Sequence, residues 1–182
     1  MLAAGGGRRY GGPKALVRLD GRLLVERAAG TLRAAGCAPV VVVLGAGSAR
    51  VRAEADLGDA VAVDNPGWST GMGSSLRAGL AALGGAPVDA AVVLLVDMPG
   101  VTAEAVRRVT RWAGPDALVT ATYRGRRGHP VVLGRDHWAG VSVLAVGDTG
   151  ARAYLTAHRA QVRGVSCEDV ADDADLDVPP PG

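Results

Sequence analysis

Along the chain, short unbroken apolar runs alternate with longer stretches in which apolar residues recur every third or fourth position. The runs "PVVVVLG" (Pro39–Gly45) and "DAAVVLLVD" (Asp89–Asp97) are continuous and rich in β-branched residues, as expected of strands buried on both faces. "AVAVD" is a further strand, ending at Asp64. Between these runs, Leu24, Ala28, Leu32 and Ala35 share one helical face, with Gly36 as a stop signal. Leu76, Leu80 and Leu83 define a second helix, with Ser74 its predicted N-cap. Asp20-Gly21 between apolar residues predicts a hairpin. Thr102 is placed to cap a helix running to Trp112. "ALVTATY" and "HPVVL" are two strands joined by "RGRRG". Helices around 135–144 and 149–158 and a strand near 161–167 complete the pattern, before an acidic, proline-terminated tail.

This alternation predicts an α/β fold with a mostly parallel central sheet and helices on both faces, forming a single domain over residues 1–182. Ligands of such sheets bind beyond the carboxyl ends of the strands. The 131–144 region is expected to be an excursion that covers the site.

Composition narrows the function. A net charge of +2 is too small to indicate a nucleic-acid or membrane-surface partner. Cys37 and Cys167 lack CxxC spacing and the three histidines are scattered, which leaves no zinc, haem or disulfide pattern. The longest charge-free apolar run, from Ala90 to Val96, is far short of the roughly 20 residues of a spanning helix. With no apolar leader at the N-terminus, the expected location is the cytoplasm.

The candidate chemistry begins at "LAAGGGRRYGGPK", from Leu2 to Lys14. Dense glycines let backbone N–H groups turn inward, and the nearby cations attract an anion, so a phosphate is the expected ligand. A Walker A loop is excluded because Pro13 separates Gly12 from Lys14 and Ala15 follows the lysine. A Rossmann fingerprint fails at Tyr10, and "GAGSAR" (Gly45–Arg50) fails at Arg50, so it is read as a plain strand-to-helix turn. Arg9 is expected to grip the phosphates as a planar fork and Lys14 as a point charge, with Arg8 solvated. Asp97 closes the most apolar strand. It either caps the following turn or projects into the crevice as a Mg²⁺ ligand, since hard cations take carboxylate oxygens beside substrate phosphates.

Leu2-Ala3-Ala4-Gly5 followed by Arg9-Tyr10-Gly11-Gly12-Pro13-Lys14 resembles the opening of the MobA-like nucleotidyltransferases, in particular their molybdenum cofactor cytidylyltransferase branch. The resemblance continues in order through "NPGWSTGMGSSLRAGL", "VDMPGVT", "YRGRRGHPVVL", "GDTGAR" and "DLDVP". It implies a three-layer Rossmann-like nucleotidyltransferase fold. It also implies transfer of CMP from Mg²⁺-bound CTP to molybdopterin, with pyrophosphate leaving, and a molybdoenzyme as a recipient partner. On this resemblance Lys14, Arg9 and Asp97 are catalytic. Leu2, Ala3, Ala4, Gly5, Gly6, Gly7, Arg9, Lys14, Gly71, Gly73 and Ser75 bind nucleotide, and the Leu2–Ala4 contacts to the base run through backbone atoms. His129 and Asp148 face the second substrate, Asp148 having the alternative role of capping the helix that follows it. Asp97 binds metal, completed by Asp177 or Asp175 from a tail that would otherwise be read as a solvated acidic run.

The chain departs from the family pattern in three places. Gly7 stands where a hydroxyl residue is usual, Met98 replaces the amide of D-Q-P, and Met1 directly precedes the motif, so a very short first strand is expected. Within enzymes the alternative is guanylyl or sugar-phosphate transfer, although the guanylyl branch typically has L-A-G-G where Ala4 gives L-A-A-G. Outside enzymes it is a non-catalytic carrier of molybdenum cofactor.

Overall fold

The computed structural model describes residues 1–7 and 11–176. In chain order the elements are β1 (Leu2–Ala3), β2 (Arg18–Leu19), β3 (Arg22–Leu23), α1 (Leu24–Ala34), β4 (Val41–Leu44), α2 (Ser48–Glu54), β5 (Val61–Asp64) and α3 (Met72–Ala82). They continue with β6 (Ala90–Val93), α4 (Ala103–Thr110), β7 (Leu118–Tyr123), β8 (Arg126–Gly134), α5 (Trp138–Leu144), α6 (Arg152–Ala157) and β9 (Arg163–Ser166).

β1 pairs in parallel with β4, and β4 with β5. Beyond β6 the chain stays extended. Leu95 bridges Leu2 in parallel, the Leu2 N–H donates to Leu94 O at 2.9 Å, and the Val96 N–H donates to Leu2 O at 3.1 Å. That junction splices the β1 group onto β6-β8-β7-β9 and gives the order β5-β4-β1-β6-β8-β7-β9. Among the described strands of this sheet, β8 alone runs against its neighbours. The reason is local: β7 and β8 are joined by Arg124-Gly125, both at positive φ, and a two-residue turn can only link antiparallel strands. Asp20 and Gly21 make the same kind of turn between β2 and β3, as predicted.

Val40, Val42 and Leu44 pack with α1 and α4, whereas Val41 and Val43 pack with α3, α5 and α6. The apolar run is thus a strand buried on both faces between two helical layers. One expectation fails here. Val131 to Leu133 lie buried inside the sheet, and α5 packs on α3 through Val141 and Trp138, so this region is scaffold and not an excursion over the site. The described part of the tail folds back onto the body, as the family resemblance implies: Thr102 Oγ1 donates to Val170 O, the Asp172 N–H to Gly100 O, and the Leu176 N–H to Asp97 O. Among the described residues, no helix is long and apolar enough to cross a membrane.

One arginine ties the end of β8 to the segment that follows α3. The Arg135 guanidinium donates to the carbonyls of Leu83, Gly84, Ala86 and Val88 and stacks on Trp138, 4.7 Å from the ring centre. Arg135→Ala leaves these carbonyls without that donor and should cost about 2–4 kcal/mol in urea unfolding. Arg135→Lys should recover less than half of this loss, because a point-like ammonium cannot reproduce the planar fork.

Candidate functional site

A cavity of about 350 Å³ opens where β1 and the extension of β6 end side by side. Leu2, Ala4, Gly5, Gly6, Lys14, Gly71, Ser75, Asp97 and Asp148 line it, joined by Trp68, Ser69, Met72, Leu95 and Val96. Ala3, Gly7, Gly73 and His129 are not among its walls, and Arg9 and Asp177 lie outside the described residues. A second cavity of about 380 Å³ sits at the opposite ends of the strands, between Ala38–Val41 and Asp89–Val93, and holds none of the expected catalytic side chains.

Lys14 and Asp97 meet inside the first cavity, with Nζ 2.7 Å from Oδ2 and each side chain about one-fifth exposed (18% and 22%). Both are held from behind. Lys14 opens a 3₁₀ turn anchored by the fully buried Ala15, and the Val17 N–H donates to Lys14 O. Asp97 follows Val96, whose N–H is committed to Leu2, and the Asp97 carbonyl accepts from Leu176 at 2.8 Å. The last contact brings the tail carrying Asp175 against the backbone of Asp97. Among the described residues, no three His, Cys, Asp or Glu side chains gather into a metal cage. A carboxylate such as Asp97, with no such cage around it, suits a hard cation that is held mainly by phosphate and water, and does not suit a resident caged ion.

The backbone of Leu2 has less to offer a base than expected. Its N–H and C=O are both engaged by the β6 extension, and the Ala4 C=O accepts from the Ala46 N–H at 3.0 Å. Gly7 has a different use: it turns the loop at φ +54°, and a Cβ there would collide with the Gly12 carbonyl.

The wall contributed by α3 is organised by a buried amide. Asn65 Nδ2 donates to Ser74 Oγ at 2.8 Å and to Ser75 Oγ at 3.1 Å, while its Oδ1 accepts from the Gly67 N–H. Ser74 is not the N-cap. The helix starts at Met72 after Gly71, and Ser74 Oγ turns back to donate to Gly67 O and Gly71 O. Gly71 and Gly73 permit a backbone-on-backbone approach, since a Cβ on either would strike the carbonyl of Gly147 or Ala145. Arg77 Nη1 donates to Ala145 O, and Asp148 Oδ1 accepts from the Met72 N–H at 3.2 Å. Asp148 therefore caps α3, 76 residues away in sequence, and not the helix that follows it.

Trp68 escaped the sequence reading. Its indole lies where side chains on Gly6 and Gly45 would stand, so those glycines make room for the ring. An aromatic in a Gly/Ser-rich loop of a chain with only 3% aromatics was the available signal.

The chain is matched over residues 1–162 by the family model described as MobA-like NTP transferase domain. It belongs to that family. This MobA-like chain is 40% identical over 185 residues to Nicotine blue oxidoreductase of Paenarthrobacter nicotinovorans, covering 97% of this chain and 90% of the relative. Rv0371c of Mycobacterium tuberculosis H37Rv, in a structure with manganese, is 26% identical and superposes with a TM-score of 0.79 over 97% of this chain and 89% of that one. A Methanothermobacter nucleotidyl transferase, 22% identical over 97% of this chain and 89% of that one, shares the fold with a TM-score of 0.79. The chain is thus a MobA-like nucleotidyltransferase by family and by fold.

His129 lies on β8 beyond the cavity lining, its carbonyl accepting from the Tyr123 hydroxyl at 2.8 Å. Burial pushes its imidazole down to about 4, against the pull of Asp97 and aided by Arg152. It is neutral at pH 7 and offers no charge to a phosphate. Its folded value lies below the unfolded 6.5, so the unfolded chain takes up this proton first as pH falls. The His129 contribution to stability is whole above pH 6.5 and is lost progressively towards pH 4, by up to roughly 3 kcal/mol. Urea unfolding at pH 7 and pH 4.5 should show a larger acid loss for the unmutated chain than for His129→Gln.

Proposed function

We propose that the chain transfers the cytidylyl group of CTP to a terminal phosphate of molybdopterin, the pterin of molybdenum cofactor, with release of pyrophosphate. The observation that carries this reading is the Lys14–Asp97 pair set in a cavity whose floor is the glycine loop. The acceptor oxygen attacks the α-phosphorus as its bond to the bridging oxygen of pyrophosphate breaks. The acceptor phosphate is already an anion, so no general base is required, and catalysis is alignment and charge neutralisation. Lys14 leaves Asp97 for the β- and γ-phosphates, joined by Arg9 and by backbone N–H groups of Gly5 and Gly6. Asp97, with Asp175 or Asp177 from the tail, would hold Mg²⁺. When bound, such an ion neutralises charge on the transferring and leaving phosphates, and the manganese complex of the Rv0371c relative favours a divalent metal. The product would pass to a recipient molybdoenzyme.

A second reading is oxidation–reduction, favoured by the 40% identical relative that bears the name Nicotine blue oxidoreductase. One pair of assays separates them. Pyrophosphate release that needs CTP, Mg²⁺ and molybdenum cofactor supports the first reading. Reduction or oxidation of nicotine blue in the presence of an added redox partner, and no pyrophosphate, supports the second. On the transfer reading, a folded Asp97→Asn protein should lose on the order of a thousandfold in pyrophosphate release.

We infer base choice from Ala4, a buried residue that lines the cavity and whose methyl group would crowd the base. A pyrimidine leaves room for that methyl, whereas a purine needs the space. CTP should exceed GTP in kcat/KM by roughly 10–100-fold, and Ala4→Gly should narrow the ratio by improving GTP use. Equal kcat/KM for the two nucleotides in the unmutated chain would overturn the cytidylyl assignment.

A further inference from the structure

We propose that Asp148 is the acceptor that selects a hydrogen-bond donor on the nucleoside half of the nucleotide, either the exocyclic amine of the base or the ribose 2′-hydroxyl. This rests on the nucleotidyl-transfer reading above, and it moves Asp148 from the second substrate, where the family resemblance put it, to the first.

The carboxylate is pre-positioned. Its Oδ1 is held by the Met72 N–H, and its loop is pressed backbone-to-backbone on the first turn of α3 and tied there by Arg77. Thr149 Oγ1 closes the same loop on Val146 O at 2.7 Å. Its Oδ2 receives no hydrogen bond from any described residue, and no described cation pairs with the carboxylate. An acceptor-only group with one oxygen to spare therefore stands at the wall of a cavity.

Charge decides which part of the ligand faces it. Lys14 and the glycine loop mark the end of the cavity suited to phosphates. A triphosphate set against an unneutralised carboxylate would be repelled, so the neutral nucleoside is the half that belongs beside Asp148. Ser75 supplies the complement. It sits three residues after Met72, on the same helical face, and lines the same cavity. Its buried Oγ accepts from Asn65, and its own hydroxyl hydrogen has no acceptor among the described residues. Acceptor and donor together match a nucleoside edge that presents an amine or hydroxyl beside a ring nitrogen or carbonyl oxygen.

The test is a matrix of two proteins and three nucleotides, read by calorimetric binding in Mg²⁺. Asp148→Asn keeps an oxygen for the Met72 N–H but turns the free acceptor into a donor, and its melting temperature reports whether the cap survives. CTP affinity should fall roughly tenfold or more, as for loss of a charge-assisted hydrogen bond. The loss should vanish for one partner nucleotide: for UTP if the contact is to the amine, or for 2′-deoxy-CTP if it is to the hydroxyl. Equal loss for all three nucleotides, or loss for none, overturns the proposal. Should Asp148→Asn not fold, the unmutated chain carries the test alone. A drop of tenfold or more for either UTP or 2′-deoxy-CTP, relative to CTP, supports the contact, and equal affinities overturn it. Absence of any nucleotide binding by the unmutated chain overturns the transfer reading along with this one, whereas normal CTP binding with no effect of Asp148→Asn removes only this one.

Discussion

Two hydrogen bonds through Leu2 carry the architecture. Its N–H and carbonyl join β1 to the extension of β6, and without them the sheet would be two separate pieces of three and four strands. The same junction sets the site, because the glycine loop leaves β1 and Asp97 leaves the β6 extension at adjacent points. The loop and the acid come from distant parts of the chain. Parallel pairing brings both to the carboxyl end of the sheet, where open α/β sheets place their ligands.

The other wall depends on close backbone contact. Gly71 and Gly73 let the 145–149 loop lie directly on α3, and Arg77 and Asp148 bond across the contact. Asn65 then settles the orientation of both serines at the head of that helix. These groups are thus held in place before a ligand arrives, so ordering them on binding costs little. The Lys14–Asp97 pair differs, since its two members would have to exchange partners when a polyanion enters.

Much of the fold was legible because its signals are local. The Asp20-Gly21 turn, the unbroken valines of β4, and Thr102, which accepts from the Ala105 N–H at the start of α4, all stand where their residue types require. Ser74 misled because a serine near a helix start can serve as a cap or, as here, donate to the carbonyls of the preceding loop. Gly71 and Gly73 were named from the family resemblance, while the crowding they relieve comes from a loop more than seventy residues later, which no local pattern announces. Trp68 was passed over for a related reason: its partners, Gly6 and Gly45, lie in two other loops. The cavity joins nine of the residues named from sequence. The family resemblance supplied their grouping, while the contacts among them depend on long-range packing.

The Leu2 junction also sets an order of events during synthesis. The carbonyl of Leu94, to which the Leu2 N–H donates, is made roughly ninety residues after Leu2. At about 5–20 residues per second the ribosome needs some 5–18 s to supply it. In the part of that interval after Leu44, the apolar edge of the nascent β1–β4 pair, later joined by β5, has no neighbour. Rare codons or pauses between Gly45 and Ala90 would lengthen that exposure, and a holdase chaperone would matter most in this window.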